Sequence, residues 1–136
     1  MKELDLTLFT WMAAGHQPNA WVLPAAALIA VWGPWIGAVL VAWVLARKPA
    51  QRGYMAATLC SLAVAALLAH WIASAHGFPR PFMAGLSPAY VPHGARGSLP
   101  SAHASVMFTL ALALLVRPGL RRIGLLATVA ACATCW

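Results

Sequence analysis

Two short stretches of this sequence carry residue types that handle phosphate. The first is Pro79-Arg80-Pro81-Phe82. Its arginine offers a planar guanidinium fork that matches a phosphate with two parallel hydrogen bonds. The second is Pro100-Ser101-Ala102-His103. Proline suits the first turn of a helix, where its missing N–H is not needed, so Pro100 predicts a helix start, with Ser98 as the candidate cap and Ser101 and His103 in the first turn. A helix N-terminus presents unpaired N–H groups and about half a positive charge, which favours an anion. Ser101 can donate a hydrogen bond to a phosphate oxygen. His103 is the candidate general acid: a phosphate dianion favours the charged form of a neighbouring imidazole, and a charged imidazole can protonate a leaving oxygen.

The elements that must position these residues are apolar. Of the 136 residues, 62% are hydrophobic and 8% are charged. A soluble domain carries about 25% charged residues, so this chain cannot clothe a soluble surface. Seven tryptophans in so short a chain fit a membrane–water interface. The net charge of +7 lies in short clusters between apolar runs, which argues for topology signals and anion contacts rather than a nucleic-acid partner. The three cysteines, Cys60, Cys132 and Cys135, lie within apolar runs and read as helix-packing residues, although Cys132 and Cys135 form a C-x-x-C. Glu3 and Asp5 argue against a cleaved signal peptide.

Residues 4–14 show helical spacing of Leu4, Leu8, Trp11 and Met12 and predict an interfacial helix. The uncharged run from Trp21 to Ala46 would reach about 39 Å as a helix, beyond the ~30 Å hydrocarbon core, with a kink or short break expected at Gly33-Pro34. Tyr54 to Ala75 predicts a second span. Residues 76–100 hold five prolines and four glycines and predict a long extramembrane loop. Ser101 to Val116 predicts a third span, and Ile123 to Trp136 begins a fourth. The fold expected is therefore all-α: a polytopic transmembrane helical bundle of one domain over 1–136, with an interfacial N-terminal helix, three full spans and a truncated fourth.

Loops 47–53 and 117–122 each carry three basic residues and no acid, which puts them on the cytoplasmic side and the 76–100 loop on the outer side. Arg80 and Arg96 then lie on the face where topology does not call for cations, and anion binding supplies the reason.

In this order, on one loop between two spans, the two stretches resemble the type 2 phosphatidic acid phosphatase family, which shares its fold with vanadium haloperoxidases. That family has three motifs: K-x6-R-P, P-S-x-H and S-R-x5-H-x3-D. Arg80-Pro81 matches the end of the first and Pro100-Ser101-Ala102-His103 the second. The wider stretch PRPFMAGLSPAYVPHGARGSLPSAH over 79–103 and the opening LFTWMAAGHQPNAWV are similar to the undecaprenyl-diphosphatase branch. The resemblance implies a phosphatase of the inner membrane, active at its outer face. Arg80 and Ser101 would bind phosphate, with Arg96 as a further candidate, and His103 would protonate the leaving group. A polyprenyl diphosphate or phospholipid would be the substrate, with no metal or other cofactor. His16, His70, His76 and His93 show no ligand-like spacing.

Two departures accompany the match. The first motif's lysine would fall on Ala73, which leaves Arg80 alone or assisted by Arg96 or His76. The third motif, with the family's nucleophilic histidine, has no counterpart. A fourth span of 14 residues is too short to cross, so truncation is the expectation. A remnant that binds phosphate or lipid head groups without turnover, and a small helical membrane protein with no phosphate site, stand as the alternatives.

Overall fold

The computed structural model describes residues 20–76 and 99–135, together with Glu3, Leu4, Thr7, Met83, Gly85, Leu86 and Pro88. Among them every regular element is helical. Helix α1 spans Val22–Arg47, a 3-10 turn covers Pro49–Gln51, and α2 spans Arg52–His76. Helices α3 (Ala102–Val116) and α4 (Arg121–Cys135) follow. Of the expected interfacial helix over 4–14, only Leu4 and Thr7 are described. Both are helical, and the Thr7 hydroxyl donates to Glu3 O at 2.8 Å.

Helices α1 and α2 are long and apolar enough to cross a membrane. Their most apolar windows have mean hydropathies of 2.1 and 1.9, and only 17% of each window is buried inside the bundle. That low burial separates them from the core helices of a soluble protein. Trp32, Trp35, Val39, Leu67 and Trp71 all face outward, a surface that lipid can cover and water cannot. Helices α3 and α4 have 15 residues each, or about 22 Å, short of the ~30 Å core. In place of the three full spans and truncated fourth expected, the described residues form two helices of spanning length and two shorter ones.

Of the kink or short break expected at Gly33-Pro34, the break does not occur: α1 is one helix through Pro34. Proline removes one backbone hydrogen bond, but the remaining ladder holds in an apolar setting where backbone groups have no water to turn to. Gly33 has a different use. A Cβ there would collide with the Thr134 side chain of α4, so the glycine sets how closely α1 and α4 approach. Gly124 does the same between α4 and α3, since its Cβ would lie 2.6 Å from Leu115 N. Hydroxyls within the helices satisfy themselves on the preceding turn: Thr58 donates to Tyr54 O at 2.9 Å, Thr109 to Ser105 O at 2.7 Å and Thr128 to Gly124 O at 2.9 Å.

Helix α3 packs most extensively on α4, α2 packs on α3, and α1 packs on α4, while α1 and α2 touch little beyond their connection. The core consists of Val41, Val44, Met55, Leu110, Ala111, Leu114, Leu120 and Ala127. These residues come from the end of α1, the start of α2, the second half of α3, the turn before α4 and the first half of α4. The bundle is therefore tightest at the end of the two short basic loops, and α1 and α2 are free to part toward the other end.

Candidate functional site

With Pro100 in its first turn α3 would start at or before Pro100, but it starts at Ala102. Ser101, in an extended conformation, is its N-cap, and its Oγ accepts from Ala104 N at 3.3 Å. The first helical bond runs from Ser105 N to Ser101 O at 2.9 Å. Pro100, joined to Leu99 by a cis peptide bond, precedes the cap and does not enter the first turn. The expected cap Ser98 lies outside the described residues. The correction has a physical basis: serine is among the best N-caps because its short side chain reaches back to the N–H three residues on, and proline has no side-chain acceptor. As N-cap, Ser101 accepts one hydrogen bond and keeps its hydroxyl proton to donate.

His103 is the second residue of α3 and is exposed. The N–H groups of Ala102 and His103 belong to the first turn, whose amides have no intrahelical acceptor. A helix start that offers these amides, a hydroxyl and an imidazole presents donors to an anion, with no acidic residue in the first turn.

The site opens on an apolar groove of about 490 Å³. One wall is α1, through Pro34, Gly37, Ala38 and Ala42, and the other is α2, through Leu59 and Leu62. The floor is α3, from Ala102 and His103 to Leu110. Among the described residues, His103 is the sole titratable side chain in this lining. The groove exists because α1 and α2 part above the tightly packed loop end. Its apolar walls can take a hydrocarbon chain whose polar end lies at His103. No single segment of the sequence outlines it. The available signal was the run of small residues on one face of α1, Gly37, Ala38 and Ala42 at helical spacing, which leaves space where larger side chains would fill it.

Arg80 and Arg96 lie outside the described residues, so Ser101 and His103 are the two expected site residues that the structure brings together. Ala73, where the resemblance would place a lysine, is a half-buried residue of α2. His76 ends α2, with Nδ1 3.2 Å from Ile72 O. Cys60 and Cys132 are free thiols.

Over 121 residues the chain is 34% identical to an Escherichia coli (strain K12) protein named "Putative undecaprenyl-diphosphatase YbjG". The match covers 85% of this chain and 59% of that protein, so the chain spans about three-fifths of the length of the curated relative it matches. No family model matches the chain, and no solved structure matches it.

Proposed function

We propose that this chain carries the phosphate-binding and proton-donating half of a membrane lipid phosphatase site, with a polyprenyl diphosphate or related phospholipid as substrate. The observation that carries the reading is the start of α3, where the exposed His103 lines the apolar groove two residues after the capping Ser101. An amphiphilic substrate needs that juxtaposition: donors for its phosphate and an apolar slot for its tail. The similarity to a protein named as an undecaprenyl-diphosphatase supports the same substrate class.

In this reading Arg80 forks the phosphate, with Arg96 as a second cation. Ser101 Oγ and the amides of the first turn of α3 hold the remaining oxygens. These donors neutralise charge and fix geometry, which supplies most of the catalysis in phosphoryl transfer. His103 gives its proton to the oxygen that leaves with the lipid. The phosphoryl group passes to a nucleophile that none of the matched motifs supplies, and then to water. The site faces the outer side, since the basic loops lie at the opposite end of the bundle.

A second reading rests on that unmatched nucleophile: the chain binds the lipid phosphate and does not turn it over. One experiment separates them. The purified chain in detergent is given undecaprenyl diphosphate, with binding and inorganic phosphate release measured beside His103→Ala and Arg80→Ala. Release that disappears in His103→Ala supports the phosphatase. Binding that weakens in Arg80→Ala without any release supports the head-group binder. No binding by any of the three proteins rejects both.

A further inference from the structure

The end of the bundle away from His103 gathers six of the chain's nine lysines and arginines: Arg47, Lys48, Arg52, Arg117, Arg121 and Arg122. The two loops that carry them are far apart in sequence and are bonded into one face. Lys48 Nζ donates to Gly119 O at 3.1 Å, and Arg117 Nε donates to Gln51 Oε1 at 2.9 Å. The Arg117 guanidinium lies 4.9 Å from the centre of the Tyr54 ring, and the Tyr54 hydroxyl donates to Ala113 O at 2.7 Å. Arg52 Nε donates to Leu45 O at 3.0 Å. Three of the six cations are thus occupied in building the face.

Arg47, Arg121 and Arg122 are exposed. The chain's two acids, Glu3 and Asp5, both precede α1, so neither loop contains a carboxylate to offset this charge. Arg121 and Arg122 open α4 at the positive end of its dipole, where cations are disfavoured, with no acidic residue in the first turn. Leu120, which precedes them, has no side-chain acceptor. Topology alone asks for basic loops, but it does not ask for two loops to be locked into one surface.

We infer that this face is a docking surface for acidic phospholipid head groups of the adjoining leaflet. Charge complementarity selects the occupant, and position selects its source. The face closes the end of an apolar bundle whose outer surface is covered by lipid, so the anions that lie at its level are lipid phosphates. Each basic residue near such a surface contributes about fivefold in affinity.

The test uses the purified 136-residue chain in neutral detergent. It is titrated with phosphatidylglycerol, phosphatidylcholine or inorganic phosphate, and thermal unfolding and lipid adducts in native mass spectra are read. Phosphatidylglycerol raises the unfolding midpoint and phosphatidylcholine does not. The effect falls with added salt. The triple change R47Q/R121Q/R122Q weakens phosphatidylglycerol binding about a hundredfold, from three such factors, and R47K/R121K/R122K retains most of it. Equal effects of the two lipids, a salt-independent effect, or full binding by the glutamine variant would overturn the inference. Stabilisation by inorganic phosphate equal to that by phosphatidylglycerol would overturn the assignment to lipid. If the glutamine variant does not fold, the single changes R121Q and R122Q decide the matter, each expected to weaken phosphatidylglycerol binding about fivefold. The triple change leaves Arg80, Ser101 and His103 intact, so loss of phosphatidylglycerol binding in it assigns the lipid to this face and not to the site at the start of α3.

Discussion

Ser101 has two roles that substitution can separate. As the N-cap of α3 it accepts from Ala104 N, and as a hydroxyl beside His103 it is proposed to donate to phosphate. Replacing a serine cap by alanine costs about 1 kcal/mol, and by glycine only a few tenths. Ser101→Ala should therefore lower the unfolding midpoint more than Ser101→Gly, while both weaken binding of a lipid diphosphate to a similar degree. Glycine binding as tightly as serine would confine Ser101 to capping. His103 is exposed, so its loss should disturb the packing little. If the chain releases phosphate, His103→Ala should slow release by about 10²–10⁴-fold, the usual worth of a positioned acid or base, with little change in stability. Calorimetry and a phosphate assay on the same preparations check both halves of that expectation.

At the scale of elements, the groove depends on how tightly the rest of the bundle is closed, and glycines set that closure. A methyl group at Gly124 would press on the backbone of Leu115 at 2.6 Å. Backbone cannot rotate away as a side chain can, so Gly124→Ala should part α3 from α4 at a cost of about 1–3 kcal/mol. Gly53 provides the control. A Cβ there meets nothing within 4 Å, and the residue lies in α2. Gly53→Ala should leave stability unchanged or raise it by about 0.4–1 kcal/mol, through the unfolded chain. Thermal unfolding of the two variants in one detergent compares them directly. Equal destabilisation would show that α3 and α4 do not depend on close approach.

At the scale of the molecule, the bundle has two unlike ends. One is tightly packed and basic, and the other opens between α1 and α2 into the groove below His103. The proposed function uses the open end for a lipid with a long tail. Ala38 is exposed and lines the groove, so Ala38→Trp should fill the slot without disturbing the core. The variant is expected to lose affinity for a long polyprenyl diphosphate by tenfold or more, at about 1.4 kcal/mol per factor of ten, and to keep its affinity for inorganic diphosphate. Equal loss for both ligands would mean that the tail does not lie there.

Much of this was legible in the sequence, because it follows from composition and local chemistry. The charge-poor runs, the basic punctuation at 47–53 and 117–122 and the helix start near Ser101 needed no knowledge of what packs on what. The all-helical character and the apolar reach of α1 and α2 followed from those runs. The local rule for proline was close but incomplete: it located the start of α3 and assigned the cap to the wrong serine, because capping is decided by which side chain reaches a free N–H. The break considered at Pro34 was a local expectation as well, and α1 continues through the proline because an apolar setting offers the backbone no water to turn to. Only the tertiary structure joined the two basic loops through Lys48 and Arg117 and put His103 at the mouth of an apolar groove. Both arise from contacts between residues far apart in the chain, which depend on how the helices pair and cannot be read from any one segment.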